Sequence, residues 1–437
     1  MTPASSRAEV AVIGVKWRSL RFAVAGTGAA IRLGPQLREG TLLQLTWSGP
    51  EREGSSATSL GEACPLPVAA PRRSSLQPLG GLSAATARAP QRQVAHLAHL
   101  ASLASLASLA RALVELPERE RRALDDVDGC AALARELAAP WPALRFALET
   151  ALLGAMARRR EVSLAQLLCA SAARRVAVNA VVGSAAEASA AWARGVSCFK
   201  VKLGADTAAD ARLLCALREG WPTARLRGDA NGQWPAAEVA ARLSELAPAG
   251  LEYVEEPCAN LAAELARGVA WPVPVALDES ALTLDEQELT EALGSPQVAA
   301  LVVKPTCAGG LTAGRALAAL AARCGKPTVT THALEGPVAF AACAELARAL
   351  APTQPGGGDL AVGLDHHPGL AAWPVAPPQL TEGAVCQAGD AGLGLEQRGD
   401  ELFAFASRDS DDSVGSSDSS GSDDSDDSDA GGRRGPR

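Results

Sequence analysis

Along residues 175–364, short apolar runs alternate with longer, alanine-rich amphipathic segments. The runs fall at 175–182, 198–203, 224–229, 251–255, 273–278, 298–304, 327–331 and 360–364. Short apolar runs separated by helix-sized segments predict repeated βα units and a parallel sheet. Eight such runs predict closure into a (β/α) barrel, in which eight units take about 250 residues. The fold class expected is therefore α/β, with a TIM-like barrel as its main body.

The pattern before the barrel is different. Val10, Val12, Gly14 and then Leu20 to Val24 suggest one strand, Gly40 to Trp47 another, and the segment 60–67 closes this β region. Residues 68–95 are rich in Pro, Ser, Arg and Ala and read as a loop or insertion. His99 to Leu109 repeats Leu-Ala-Ser at period three. Ala and Leu favour a helix there, although a period of three makes the buried face drift against 3.6. Residues 129–159 predict two helices split at Pro140-Trp141-Pro142. The expected division is an α+β region at 1–170 with an insertion at 68–110, a barrel at 171–372, and a segment at 373–407 returning to the first region. A tail at 408–437 completes it. The tail is Ser/Asp/Gly-rich with almost no apolar residues, so disorder is expected.

Composition narrows the function. Of the 437 residues, 48% are hydrophobic but only 3% aromatic, so Leu, Val and Ala must fill the core. The net charge is −8, of which residues 408–437, with nine Asp and four Arg, hold −5. The remainder is close to neutral, which argues against nucleic acid as a partner. Ten cysteines lie scattered with no C-x-x-C pair, the pattern of free thiols in a reducing compartment. No apolar run approaches the ~18 residues of a membrane span. An intracellular protein without a membrane span is expected, plastidic in a photosynthetic eukaryote and cytoplasmic otherwise.

Five strand-like runs end in a charge: Lys202, Asp229, Glu255, Asp278 and Lys304, spaced 27, 26, 23 and 26 residues apart. That spacing puts one charge at the C-terminal end of each of five successive strands, the end at which such barrels do chemistry. Side chains alternate along a strand, so Phe199, Val201 and Leu203 face the helices while Lys200 and Lys202 face inward. Arg227, Asp229 and Asn231 share a face by the same count. Glu255 and Glu256 point oppositely; phase with Tyr253 selects Glu255, and Asp278 is selected over Glu279. Glu256 and Glu279 are left as supporting or helix-start carboxylates. Three buried carboxylates without histidine or thiolate suit a hard cation, Mg²⁺ before Mn²⁺. A second ammonium and a divalent cation disfavour a lysine's charged form, so Lys202 or Lys304 is a candidate base. This set suits proton abstraction beside a carboxylate, with a small-molecule carboxylate as substrate.

These motifs, K-x-K at Lys200/Lys202, D-A-N at Asp229–Asn231, E-E-P at Glu255–Pro257, D-E-S at Asp278–Ser280 and K-P at Lys304–Pro305, resemble the enolase superfamily, muconate-cycloisomerase subgroup. Arg38-Glu39-Gly40, the stretch Gly61-Glu62-Ala63-Cys64-Pro65-Leu66-Pro67 and Pro142 to Glu149 are similar to the R-x-G, GE-x-x-PLP and PS-x-R-x-x-x-E patterns of the o-succinylbenzoate synthase family. The resemblance implies that the N-terminal α+β region is a capping domain. It also implies dehydration of a succinyl-bearing cyclohexadiene carboxylate in menaquinone or phylloquinone biosynthesis. Lys202 would then be the base, Lys304 the group stabilising the enediolate, and Asp229, Glu255 and Asp278 the Mg²⁺ ligands. Lys200, Asn231, Glu279, Thr331 and Glu335 would support the site. The chain departs from the family after Pro67. It also reads Thr331-His332-Ala333-Leu334-Glu335 where the family has Ser-Ser-x-x-Glu. N-acylamino-acid racemase, dipeptide epimerase and cycloisomerase activities share the same residues and stay open, as does a non-catalytic assembly module. Fusion to, or association with, other quinone-pathway enzymes is the partner reading that goes with the family.

Overall fold

The computed structural model describes residues 11–24, 36–48, 56–65, 103–268, 270–355 and 360–406. The expectations for 68–95, the first residues of the Leu-Ala-Ser stretch and the acidic tail lie outside the described residues.

Three strands, β1 (Ala11–Val24), β2 (Gln36–Ser48) and β3 (Ser56–Ala63), form an antiparallel sheet in sequence order. On β1, buried Leu20, Phe22 and Val24 alternate with exposed Ser19, Arg21 and Ala23, so one face meets the core and the other is polar. The central β2 is buried from Thr41 to Leu45 without a break, which explains its near-continuous apolar run. The helices Val127–Leu137 and Pro142–Arg159 flank the expected Pro-Trp-Pro break. The second of them lies on β3 so closely that a Cβ on Gly61 would collide with the carbonyl of Ala147. Helix Leu103–Val114 buries Leu106, Leu109 and Leu113. The step of four to Leu113 restores the face that the three-residue repeat would lose.

The second body is a curled parallel sheet. β4 (Arg175–Ala177) and β5 (Asn179–Val181) replace the one strand expected at 175–182. Val178 breaks the run because it bridges to Val362. β6 (Cys198–Lys202), β7 (Arg225–Asp229), β8 (Tyr253–Glu255), β9 (Val275–Leu277), β10 (Val298–Val303) and β11 (Thr328–Thr330) follow in order beside β5, all parallel. The run at 360–364 forms no strand of its own. Val362 and Gly363 instead make single bridges to Val178 on one edge and Thr331 on the other. The two edges of the curled sheet thus meet through two residues. Helices between the strands bury Leu, Val and Ala against its outer surface, in one cluster continuous with the N-terminal sheet. Finally β12 (Leu380–Thr381) pairs antiparallel with β13 (Ala384–Cys386), and β13 with β4.

The helix Gly399–Ala406 comes back to β1 and β2. Trp373 stands edge-on to Phe22 at 5.3 Å and lies 5.0 Å from Phe405, so an aromatic cluster joins the C-terminal segment to β1. All ten cysteines are free. Among the described residues no helix is long and apolar enough to cross a membrane.

Candidate active site

The parallel register places the charges side by side. Lys202 pairs with Asp229 across β6 and β7, and Asp229 with Glu255 across β7 and β8. Asp278 and Lys304 each follow the last residue of their strand, β9 and β10. All five therefore sit at the C-terminal ends. Asp229, Glu255 and Asp278 are 1–2% exposed. Lys202 is the most accessible of the lysines, its side chain 21% exposed.

The ammonium groups hold the acids. Lys200 Nζ donates to both oxygens of Glu255 at 2.8 Å and lies 2.7 Å from Asp229 Oδ2. Lys202 Nζ donates to Asp229 Oδ2 at 2.6 Å and to Asn231 Oδ1 at 2.9 Å. Lys304 Nζ donates to Asp278 Oδ2 and, at 2.9 Å, to Glu279 Oε1. The Asn231 N–H donates to Asp229 Oδ1 at 3.0 Å, which holds the D-A-N turn. Eight of the ten residues read from the sequence thus converge.

Thr331, which directly follows β11, and Glu335 have hydrogen-bond partners outside this cluster. The Thr331 hydroxyl donates to Gly363 O at 3.0 Å, where the sheet's edges meet. Glu335 is fully buried and accepts from Thr306 Oγ1 at 2.6 Å. The adjacent His366 and His367 point to different carbonyls, those of Pro378 and Glu335.

Electrostatically the mouth has four carboxylates facing three ammonium groups. Burial would raise the Asp229 pKa, but Lys200 and Lys202 outweigh it and hold the carboxyl well below its usual range. Asp278 behaves oppositely. Burial pushes it far up, Lys304 opposes this, and the negative charges of Glu279 and Glu255, with a hydrogen bond shared with Glu255, reinforce it. Four carboxylates against three ammonium groups leave an excess of negative charge at the mouth. At Lys304 burial favours the neutral form, yet Asp278 and Glu279 prevail and raise its pKa well above normal. The reason is that the acids' nearest positive charge here is the lysine itself.

Among the described residues no three carboxylates, histidines or thiolates are gathered in a metal-binding arrangement, since the lysines hold the acid oxygens. The donor chemistry and the excess negative charge nevertheless fit a divalent cation.

Sequence reasoning under-read the N-terminal acids. Glu62, fully buried on β3, accepts from the backbone N–H groups of Gly336 and, at 3.1 Å, Ala339. It thereby caps the helix Pro337–Leu350. Glu149 accepts from Thr312 N at 2.7 Å and Thr312 Oγ1 at 3.2 Å, and so caps Leu311–Arg323. Gly310, at φ 149°, leaves room for that carboxylate where any Cβ would strike it. Arg38 donates to Cys64 O at 3.0 Å, and its buried Nε and Nη1 meet no partner among the described residues. The signal for these three was their place in the R-x-G, GE and R-x-x-x-E patterns.

A family model described as "Enolase C-terminal domain-like" matches residues 183–401, about half of the chain. The chain belongs to the enolase superfamily. It is 32% identical over 231 residues to the o-succinylbenzoate synthase of Desulfotalea psychrophila, covering 50% of this chain and 62% of that protein. It is 38% identical over 186 residues to that of Mycobacterium bovis, covering 40% and 54%. The chain thus spans about half to three fifths of the length of these curated relatives. Its fold is similar to that of a superfamily member from Roseovarius nubinhibens complexed with magnesium (TM-score 0.65, 21% identity, 88% of this chain and 95% of that one). A dipeptide epimerase from Enterococcus faecalis is similar too (TM-score 0.63, 20% identity, 88% and 99%). So is MenC from Desulfotalea psychrophila (TM-score 0.61, 23% identity, 86% and 100%).

Proposed function

We propose that this superfamily member is a Mg²⁺-dependent o-succinylbenzoate synthase-like dehydratase. It would convert 2-succinyl-6-hydroxy-2,4-cyclohexadiene-1-carboxylate to 2-succinylbenzoate, a hydro-lyase step of quinone biosynthesis. The observation that carries the choice is the identity of 32–38% to o-succinylbenzoate synthases, because the likeness to the epimerase extends to fold alone.

Asp229, Glu255 and Asp278 would hold the cation. When bound, it supplies positive charge to the substrate carboxylate and to the enediolate that forms from it. The lysines do the rest. Lys202 Nζ, the most open of the three, takes the proton α to the carboxylate. Lys304, kept charged beside Asp278 and Glu279, faces the developing negative charge from across the acids. The enediolate then expels the ring hydroxyl, which leaves as water with the proton returned by Lys202, and the ring becomes aromatic. Lys200, bound to both Asp229 and Glu255 with its pKa raised against the opposing pull of burial, stays charged and orders the two ligands. Asn231 holds Lys202, and Glu279 shares Lys304. Glu335 and Thr331 support the loop after β11. The N-terminal region would act as a capping domain over this mouth.

The test is purified protein with the cyclohexadiene substrate and Mg²⁺, followed by absorbance as the ring aromatises. Polarimetry on N-succinyl amino acids and on dipeptides runs in parallel. Turnover confined to the latter substrates would replace the dehydratase with a racemase or epimerase. Turnover of none would leave an assembly module.

A further inference from the structure

We propose that Glu256, the second acid of Glu-Glu-Pro, is a positioning residue that sets the three candidate cation ligands relative to one another. The inference rests on the reading of Asp229, Glu255 and Asp278 as a divalent-cation site.

Glu256 touches the loops of all three. Its own peptide N–H donates to Ala276 O at 3.0 Å, on β9. Its carbonyl accepts from Gly232 N at 2.6 Å, in the turn just after Asp229. Its carboxylate Oε2 accepts from Asp278 N at 2.8 Å, from Ser280 Oγ at 3.0 Å and from Ser280 N at 3.3 Å. Glu255 is its covalent neighbour. One residue thus ties the end of β8 to the ligand-bearing turns on both sides.

The backbone shows that the position is held rather than relaxed. Glu256 has φ 41°, a left-handed conformation that a glutamate rarely adopts. That conformation turns its carboxylate away from Glu255 and under the β9 loop. Asp278 itself sits at φ −130°, ψ −94°, outside the main allowed regions. Such a backbone persists only where its surroundings over-determine it. The acceptor on the Asp278 N–H is the Glu256 carboxylate, which is 2% exposed and points its oxygen at backbone rather than at the mouth. Partners of metal ligands that fix their orientation typically change metal affinity ten- to a hundredfold when removed.

The experiment measures Mn²⁺ affinity by electron paramagnetic resonance on the full chain, without substrate. The variants are Glu256→Gln, Glu256→Ala, Glu256→Gly and, as a remote buried-acid control, Glu345→Ala. The expected result is a tenfold to hundredfold loss for Glu256→Ala and Glu256→Gly. Glu256→Gln keeps most of the affinity, because its amide oxygen still accepts. The glycine variant matters because it relieves the positive φ while removing the carboxylate. Mn²⁺ binding by Glu256→Gly equal to wild type would overturn the inference, and so would an equal loss in Glu345→Ala, which would reveal a general loosening. Wild-type protein that binds no Mn²⁺ would instead bring down the cation site itself, and this inference with it.

Discussion

Buried carboxylates serve this molecule in two places, and each place neutralises them differently. At the mouth, Asp229, Glu255 and Asp278 meet ammonium groups. Where the N-terminal region meets the barrel helices, Glu62 and Glu149 meet helix N-termini. The backbone N–H groups and the positive end of the helix dipole favour an anion, by about 1 kcal/mol each for exposed cases. They carry no full charge, so burial prevails. It pushes both Glu62 and Glu149 up to about 7, although the helix N–H groups pull the other way. The lesson is that two full counter-charges keep Asp229 ionised, whereas dipoles alone leave Glu62 and Glu149 holding a proton near neutrality; Asp278, deeply buried with the single charge of Lys304, is raised as well. The first kind of site is prepared for a cation and for proton transfer. The second is a joint.

The sharpest way to break the comparison is at the mouth. Lys202→Ala is expected to cost about 10²–10⁴-fold or more in turnover while leaving the thermal midpoint nearly unchanged. Steady-state kinetics and circular dichroism check this, and substantial residual turnover would remove Lys202 from its role as base. Chelation by EDTA is expected to abolish activity, with recovery on adding Mg²⁺. A chelator-resistant enzyme would show that the mouth's acids serve only the lysines.

At the joint the expected effects are smaller and fall on stability. Glu149→Ala removes a buried helix cap and is expected to lower unfolding free energy by about 1–2 kcal/mol, without altering Mn²⁺ affinity. Urea unfolding and metal titration separate the two outcomes.

The sign of the pH dependence also differs between these two caps and Asp229. Glu62 and Glu149 have folded pKa values near 7, above the ordinary 4.5. The folded state therefore binds more protons in that window, and their contribution to stability is full below 4.5 and lost as pH rises through about 7. Asp229, held low by Lys200 and Lys202, does the reverse: its contribution is present above its ordinary 3.8 and lost on acidification. Replacing Glu62 and Glu149 together by Gln is expected to flatten the fall in stability between pH 4.5 and 7, as measured by urea unfolding across that range. An unchanged slope would mean that they are ionised like Asp229. Deletion of 409–437 is expected to leave kinetics unchanged.

Much of the mouth was legible because strand periodicity is rigid. A charge ending each apolar run of a parallel sheet has one place to go, and the register of β6 to β8 puts Lys202, Asp229 and Glu255 in a row. Phase alone separated Glu255 from Glu256, and the carboxylate of Glu256 indeed serves the start of the next turn. Glu279 was harder. It follows a strand end, where the alternation stops; it opens the short helix Glu279–Leu282 and also joins Lys304. The eighth run was over-read as a strand because composition cannot tell a paired strand from two bridging residues.

The local order of this chain, namely which runs are strands, which segments are helices and which charges end up at the mouth, was determined by the sequence, because side-chain period and apolar burial act within a few residues. Tertiary structure alone decided three things. It decided which lysine stands beside which acid, that Val362 and Gly363 join the sheet's edges, and that Glu62 and Glu149 reach across to cap distant helices. Those depend on contacts 163 to 277 residues apart in the case of the caps, and no local pattern encodes which helix end will stand opposite a given carboxylate.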